Sequence, residues 1–227
     1  MRADLHMHSI YSDGEPEPER ILLQSLKKGL EVISITDHDT FMGSIEAMRK
    51  VEEKKLKILL VPGSEVRTSM GDVLIYCMTP VKIERNIPLD KLIQLAESFG
   101  CLLVPAHPFD RLRRGIGEMG LEILSNSFRA MECFNASSSY ISNRKAYKYA
   151  KDKGKACLAN SDAHTLAGIG SFKTLIDMDI EEGIEGFWKA FERNSFLPVL
   201  SVSQLGAYLD KLRWSIKRKI IQQFSKK

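Results

Sequence analysis

The chain has 227 residues, of which 44% are hydrophobic and 27% charged, a balance typical of a globular protein with one substantial core. Its formal net charge is +4, but residues 211–227 contain seven Lys or Arg and no acid, and subtracting these seven leaves −3 for the rest. Basicity confined to a short tail is weak evidence for nucleic-acid binding. The chain has no run of about 18 apolar residues and no apolar signal core, which excludes a predicted transmembrane helix and favours a cytoplasmic protein.

Short apolar segments alternate with helical patterns along the chain. The predicted strands are 3–8, 31–36, 57–63, a hairpin within 65–78, 101–107, 128–134, 155–161 and 172–176. The predicted helices are 18–28, 43–54, 88–99, 117–125, 140–153, 181–193 and a long basic helix from Ser203. About seven β–α units in residues 1–202 favour a barrel over an open parallel sheet, although periodicity alone does not exclude the sheet.

The basic segment 203–227 has apolar residues at helical spacing. We expect it to be a helix that packs on the flank of the barrel and leaves its charged face in solvent. Attachment to a nucleic acid or to an anionic membrane is the alternative.

The four cysteines lie far apart in apolar runs, and no CxxC pair is present. This spacing, in a protein expected in the cytoplasm, predicts reduced and buried thiols rather than disulfides. The residues concerned are Cys77, Cys101, Cys133 and Cys157.

The first predicted strand carries two histidines one residue apart. Alternate residues of a strand point to the same face, so His6 and His8 are expected side by side, with Met7 turned away. Two imidazoles on one face suit a shared metal better than a core position.

Further candidate ligands follow the predicted strands, and together with His6 and His8 they use all five histidines: Asp13, Asp37, His38, Asp39, Glu65, His107, Asp162 and His164. Strand C-termini meet at the mouth of a (β/α) barrel, so these side chains should converge there. Taken singly, Asp39 would be a helix N-cap and Asp13 a turn residue, but the joint pattern predicts a metal site. Imidazoles mixed with carboxylates suit Zn²⁺, Mn²⁺ or Fe²⁺, and their number indicates two or more metals.

The segments DLHMHSIYSDG, ITDHDT, PGSE, PAHP and NSDAH, in this order between residues 3 and 164, resemble the motifs of the PHP (polymerase and histidinol phosphatase) family of metal-dependent phosphoesterases. The resemblance implies an α/β fold, a distorted (β/α)7 TIM-like barrel, with up to three divalent metals. It implies His6, His8, Glu65 and Asp162 as ligands of the first metal, Glu65 and His107 of the second, and Asp13, His38 and His164 of the third. Asp37 and Asp39 would support the ligands or cap helices.

One position departs from the family pattern. Many members have a histidine ligand on the hairpin after the motif glutamate, whereas this chain has Asp72. A carboxylate there would bind a hard metal such as Mn²⁺, act through water, or be a plain turn residue, and these interpretations stay open.

A phosphate substrate needs cationic anchors besides the metals. Arg111, Arg113 and Arg114 follow His107, and Arg144 follows the next strand, so these four arginines are the predicted substrate anchors. The alternative for the arginines is a solvated loop. Asn135, Ser137 and Ser138 are further hydrogen-bond donors near the same strand end.

These features predict a phosphoric ester hydrolase of the phosphatase or 5′→3′ exonuclease type that uses a metal-activated hydroxide. A nucleotide or short oligonucleotide is the favoured substrate, with a histidinol-phosphate-type monoester as a further option, and Asp162 and His164 are candidates for proton transfer. One alternative is a weakly catalytic or non-catalytic subunit that binds nucleic acid or serves in assembly. Another is metal-dependent hydrolysis of a non-phosphate bond. A degenerate site should lack ligands, and here only the Asp72 position departs.

Overall fold

The computed structural model describes residues 1–200 and 212–219. Between residues 1 and 200 the strands are β1 (Arg2–Asp4), β2 (Val32–Ile33), β3 (Leu59–Leu60), β4 (Gly63–Arg67), β5 (Asp72–Tyr76), β6 (Leu102–Pro105), β7 (Ala130–Asn135), β8 (Ala156–Asn160), β9 (Phe172–Ile176) and β10 (Phe196–Leu200). The α-helices are α1 (Pro18–Lys27), α2 (Met42–Lys54), α3 (Leu89–Phe99), α4 (Gly117–Ile123), α5 (Tyr140–Asp152) and α6 (Gly183–Arg193). Residues 212–219 are also helical.

The strands form three hydrogen-bonded sheets, in the orders β10-β9-β1-β2-β3, β4-β5-β6 and β7-β8. The pairs β1–β2, β2–β3 and β7–β8 are parallel, as the alternation of strands and helices predicts. The pairs β1–β9, β9–β10, β4–β5 and β5–β6 are antiparallel. The chain is therefore a mixed α/β fold.

The predicted closed barrel is not confirmed, because the three sheets do not join into one continuous ladder within the described residues. Several strands are too short to close it: β2 and β3 have two residues each. Beyond the ends of the regular strands, neighbouring segments are joined only by single parallel bridges in this part of the described chain. These bridges pair Met7 with Ala163 and His38 with Glu65. Both bridges lie beside the polar strand ends, so the ladder is interrupted where the candidate ligands begin.

Helix α6 shows how the helices cover the sheets. Its residues Phe187, Ala190 and Phe191 are buried and recur at the i, i+3, i+4 spacing of one helix face. The ring of Phe187 meets Tyr76 of β5 edge-on, with 6.0 Å between the centroids. The Tyr76 hydroxyl donates to the carbonyl oxygen of Leu5 (2.8 Å), which satisfies the one polar atom of a fully buried ring.

Strand β10 was not predicted from the sequence. It contains Pro198, which cannot donate to a sheet ladder and argues against a central strand. The structure places β10 at the edge of its sheet, paired only with β9, which is where a strand tolerates proline. Among the described residues, no helix is long and apolar enough to cross a membrane.

The prediction of reduced thiols is wrong. The structure has two disulfides, Cys77–Cys101 and Cys133–Cys157, each with a sequence separation of 24. The physical reason is strand pairing: Cys77 directly follows β5 and Cys101 directly precedes its antiparallel partner β6, while the other two cysteines lie on the neighbouring strands β7 and β8. Cysteines far apart in the sequence are therefore adjacent in the sheets.

The predicted C-terminal helix begins at Ser203, and residues 201–211 and 220–227 lie outside the described residues. The helical residues 212–219 fall within that prediction.

Candidate metal centre

The candidate ligands lie at strand ends where the backbone leaves the ordinary β conformation. His107 follows β6 with φ of 30°, and Asp162 follows β8 with φ of 50°. Left-handed backbone at residues other than glycine is costly and tends to occur at functional sites. These residues therefore turn out of their strands toward a common point instead of continuing the pairing.

The turn after the first strand brings Asp13 back onto His8. Gly14 makes this possible, because a Cβ at that position would overlap the carbonyl oxygen of His8. The backbone N–H of Gly14 donates to Ser9 (3.0 Å), and that of Glu15 donates to His164 (2.8 Å). The Asp-Gly pair is thus turn chemistry and also the means by which Asp13 reaches the histidines.

All nine predicted ligands take part in compact groups of donor atoms, with every atom of a group within 4.8 Å of the others. The groups found among the described residues are His8, Asp13, His38 and His164; His6, His8 and Glu65; His6, His107 and Asp162; and Glu65, Asp72 and His107. Several residues belong to two groups, so the groups form one continuous cluster. Imidazole nitrogens and carboxylate oxygens at this spacing are the donor set that Zn²⁺, Mn²⁺ and Fe²⁺ bind.

Glu65 is the centre of the cluster. Its Oε2 lies 3.2 Å from Nε2 of His6, 3.2 Å from Nε2 of His8 and 3.2 Å from Nδ1 of His38. Its Oε1 lies 2.8 Å from Nε2 of His107. One buried carboxylate therefore touches four of the five histidines.

Asp13 organises the second part of the cluster. Its Oδ1 lies 3.1 Å from Nε2 of His164, 3.6 Å from Nε2 of His38 and 3.7 Å from Nδ1 of His8. Asp13 Oδ1 and His38 Nδ1 are buried, and despite these short contacts neither makes a well-aligned hydrogen bond within the described residues. Buried polar atoms normally have hydrogen-bond partners. A carboxylate oxygen and an imidazole nitrogen that lack them and lie close together are therefore suited to bind a cation.

Asp72 lies at the start of β5, and its carboxylate belongs to the same group as Glu65 and His107. It is buried, and Arg114 Nε donates to its Oδ1 at 3.1 Å. Burial, with the negative charge of Glu65, raises the pKa of Asp72 to about 7. A plain turn residue would be exposed, so the geometry favours the two interpretations in which Asp72 serves a metal.

The charge state of the cluster favours ionised carboxylates. Burial alone would raise the pKa of Glu65, but the charge of His6 and hydrogen bonds to His107 and His6 hold it well below its usual range. Burial would lower the pKa of His8, yet hydrogen bonds to Asp162 and Glu65 raise it to about 9. Burial lowers the pKa of His38 to about 3, which keeps this imidazole neutral. A metal ion must therefore displace a proton from a histidine such as His8, whereas the neutral His38 already has a free nitrogen lone pair.

The cluster opens into a cleft of about 910 Å³. We call it the main cleft; its charged lining consists of Asp13, His38, Glu65, Arg67, Asp72, His107, Asp110, Arg111, Arg113, Arg114, Asp162, His164 and Arg218. His6 and His8 lie behind it and are fully buried. Ser137 and Ser138 also line the cleft. A cleft of this size accommodates a ligand as large as a nucleotide.

The predicted anchors divide into two sets. Arg113 Nη1 donates to Oδ2 of Asp162 (2.8 Å) and Arg114 pairs with Asp72, so these two reach the cluster, while Arg111 lies on the exposed part of the rim. Arg144 does not line the main cleft. It lines a separate cavity on α5 with Phe134, because it lies two residues after Ser142 of the main cleft and residues two apart point to different faces of a helix.

The sequence analysis missed a buried carboxylate, Glu132 in the middle of β7. His6 Nδ1 lies 3.0 Å from its Oε1, and the backbone N–H of His107 donates to its Oε2 (2.8 Å). The side chains of Asn135 and Asn160 also donate to it, at 2.9 and 3.0 Å. It fixes the orientation of the His6 ring and so points Nε2 at Glu65. The available signal was a glutamate within an apolar strand, which is rarely buried without a partner.

The two aspartates around His38 have supporting positions. Asp37 is fully buried and accepts hydrogen bonds from Ser9 and Ser12, which fasten the turn that carries Asp13. Asp39 accepts from the backbone N–H of Arg67 (2.8 Å). It is not a helix cap, because α2 begins after Phe41 and has no side-chain cap.

Replacing Glu132 with Gln is expected to weaken metal binding by about 10–100-fold, the usual effect of losing a residue that orients a metal ligand. The amide of glutamine carries no negative charge opposite His6. Its NH₂ group also cannot accept the hydrogen bonds that His107, Asn135 and Asn160 donate to the carboxylate. Calorimetric titration with Mn²⁺ measures the effect. The matched control is Glu192→Gln on the exposed face of α6, which should bind as the unchanged protein does; equal affinities in both variants would contradict the role of Glu132.

Comparisons with known proteins show which family the chain belongs to. A sequence model of the PHP domain matches residues 4–153, and a model described as PHP-associated matches residues 140–195. An uncharacterized protein of Methanocaldococcus jannaschii, MJ1587, is 31% identical over 147 residues, which are 60% of this chain and 82% of the relative. The 5′-3′ exoribonuclease Rnm of Escherichia coli is 34% identical over 65 residues, 29% of this chain and 22% of that protein.

The fold is also found among solved structures. A two-domain protein of Bacteroides vulgatus, described as containing a predicted PHP-like metal-dependent phosphoesterase, superposes with a TM-score of 0.73 at 20% identity. The match covers 88% of this chain and 65% of that one, so this chain spans slightly less than two thirds of its length. The residues matched by the PHP domain model make up more than half of the chain and include every candidate ligand from His6 to His107. The chain is therefore a member of the PHP family.

Proposed function

We propose that this PHP-family protein is a metal-dependent phosphoesterase that hydrolyses a small phosphate ester, with a nucleotide or short oligonucleotide as the favoured substrate. The observation that carries the proposal is the convergence of five histidines and four carboxylates below a cleft with arginines on its rim. Such a cluster holds cations, and the arginines provide the complementary charge for a phosphate.

The proposed cofactors are two or three divalent ions, Mn²⁺, Zn²⁺ or Fe²⁺. When bound, such ions polarise the phosphoryl group and lower the pKa of a water nucleophile. The residues that would hold them are the nine members of the donor groups, with Asp72 among them. Glu65 belongs to two of the groups and has two oxygens, so it would help to keep neighbouring ions close together, whereas a neutral imidazole such as His8 would hold one ion at a time.

The chain's own residues account for binding and proton movement. Arg113 and Arg114 each pair with one carboxylate of the cluster and lie on the cleft wall, so they are placed to meet phosphate oxygens. Ser137 and Ser138 supply neutral donors on the same wall. Asp162 and His164 are the candidates for holding or passing a proton: His164 Nδ1 lies 3.4 Å from Asp162 Oδ1, and both residues line the cleft.

The favoured substrate class rests on the cleft and on the relatives. A volume of about 910 Å³ exceeds what a phosphate alone needs and leaves room for a sugar and a base. The Escherichia coli relative is described as a 5′-3′ exoribonuclease, and its similarity covers only a part of either protein. A 5′-phosphorylated oligoribonucleotide is therefore the first polymer to test.

The experiment combines metal content with turnover. Elemental analysis of protein purified without chelator should find two or three divalent ions per chain, and hydrolysis of an aryl phosphate should stop on chelation and return with Mn²⁺. A panel of nucleoside monophosphates and 5′-phosphorylated or 5′-hydroxyl oligoribonucleotides then defines the substrate. Absence of metal and of turnover with every added ion would overturn the proposal. Salt-sensitive RNA binding that survives chelation would instead support a binding subunit.

A further inference from the structure

The helix of residues 212–219 touches the turn that carries Asp13. The indole N–H of Trp214 donates to the backbone carbonyl oxygen of Asp13 at 2.7 Å. Lys217 Nζ lies 3.6 Å from a carboxylate oxygen of Glu15 in the same turn. The helix was expected on the flank of the barrel, whereas Ser215 and Arg218 line the main cleft. The helix therefore contacts the candidate metal centre at the turn that carries Asp13 and Glu15.

Arg218 reaches the carboxylate of Asp13 directly. Its Nη1 lies 2.6 Å from Oδ2 of Asp13, while Oδ1 faces His164 and the other imidazoles of its group. The two side chains are 30% and 20% exposed, so water only partly screens their attraction. With one oxygen held by a guanidinium and the other facing the histidines, the carboxylate has one orientation, and that orientation presents Oδ1 to the cluster.

A repeated arrangement supports a functional role for this contact. Arg113 pairs with Asp162 and Arg114 with Asp72, so three candidate metal-binding carboxylates each meet one arginine of the cleft wall. Arg218 Nε is buried and has no hydrogen-bond partner among the described residues, so within that part of the chain the guanidinium keeps a spare donor beside the cleft. The matches to the two family models end at residues 153 and 195, before this helix begins.

We propose that Arg218 is a positioning residue for the metal centre: it fixes Asp13 as a ligand, and the helix that carries it is a wall of the active site rather than an attachment for nucleic acid. This inference rests on the proposed metal-dependent function. A charged partner that orients a ligating carboxylate contributes to metal affinity without touching the metal. The position of Arg218 is thereby explained by the carboxylate of Asp13 that it faces.

The test compares Mn²⁺ binding by full-length variants in calorimetry. Arg218→Met removes the guanidinium and keeps much of the apolar stem, and Arg218→Lys keeps the charge. Lys219→Met, on the exposed side of the same helix, removes an equal charge away from the cluster. Arg218→Met should weaken the weakest Mn²⁺ site by about 10–100-fold, Arg218→Lys should restore part of the affinity, and Lys219→Met should match the unchanged protein.

A double-mutant cycle separates positioning from a general effect on folding. In an Asp13→Asn background, Arg218→Met should cause no further loss of Mn²⁺ affinity, because the residue acts through Asp13. Unchanged Mn²⁺ affinity and stoichiometry in Arg218→Met, or an equal loss with and without Asp13, would overturn the inference while the phosphoesterase proposal stands. If the unchanged protein binds no Mn²⁺ and hydrolyses nothing, both proposals fail.

Discussion

Replacing Glu65 with Gln is expected to abolish phosphoester hydrolysis and to lower the metal content of the protein. The carboxylate is 2% exposed and contacts His6, His8 and His38 through one oxygen and His107 through the other. A glutamine keeps the shape but has one neutral oxygen and an N–H₂ group that repels both metals and protonated imidazoles. Metal catalysis supplies several kcal/mol of stabilisation to the transition state, so the loss should reach about 10³-fold in kcat.

The measurement is kcat with an aryl phosphate at saturating Mn²⁺, together with elemental analysis of the purified variant. Glu97→Gln on the exposed face of α3 is the matched control, since it makes the same chemical change far from the cluster. Far-ultraviolet circular dichroism shows whether the variant folds. A folded Glu65→Gln protein that retains full turnover and its full complement of metal would exclude Glu65 as a bridging ligand.

The residues proposed as ligands from the sequence lie close together in the structure, for a physical reason. The ligands lie at strand ends, and short apolar strands are easy to locate even when their pairing is unknown. His107 and Asp162 come from distant segments, but each follows a strand by two residues. The ends of the six helices between residues 1 and 200 were predicted to within two residues, since apolar residues at helical spacing are also easy to locate.

The pairing of strands was harder to predict. Residues 3–8 read as one strand, but the ladder of β1 ends at Asp4, since the residues beyond it turn to supply ligands. Single-sequence periodicity does not distinguish a closed barrel from several short sheets, as both use the same apolar segments. The disulfides depend on the same missing information, because only the register of neighbouring strands shows which cysteines meet.

Buried polar contacts were the other gap. Glu132 and Arg218 are separated from their partners by many residues. The local sequence shows Glu132 only as a glutamate within an apolar strand and Arg218 as one of several basic residues, and neither pattern identifies the partner. Arg144 and Arg113 both follow a predicted strand, but Arg144 lies on a part of α5 that lines a separate cavity, whereas Arg113 lines the main cleft. Which polar residues meet at the site is decided by the tertiary fold, whereas the presence of a site is visible in the sequence.

Removing the disulfides is expected to lower the stability of the protein strongly. None of the nine residues of the donor groups is changed by this removal. Each bridge joins cysteines 24 residues apart, and a closed loop of that length stabilises a fold by about 3 kcal/mol through the restricted unfolded chain. In a domain of this size, about 3 kcal/mol corresponds to a fall of roughly 6–12 °C in Tm. The double variant Cys77→Ser/Cys101→Ser should show that fall. It should keep its Mn²⁺ affinity, because this bridge lies at the ends of β5 and β6 that are far from Asp72 and His107.

The bridge between Cys133 and Cys157 has a second consequence, because Cys133 follows Glu132 on β7. Its removal should lower Tm by a similar amount and also weaken Mn²⁺ binding, since it loosens the strand that holds Glu132 against His6. Thiol titration of the native, unreduced protein should find no free thiol, and addition of reductant should lower its Tm but leave that of a variant with all four cysteines replaced by serine unchanged. Four titratable thiols in the native protein, or equal Tm values with and without reductant, would contradict both bridges. A loss of Mn²⁺ affinity on removing the β7–β8 bridge and not the other would show that the covalent links and the metal centre share β7 as a common support.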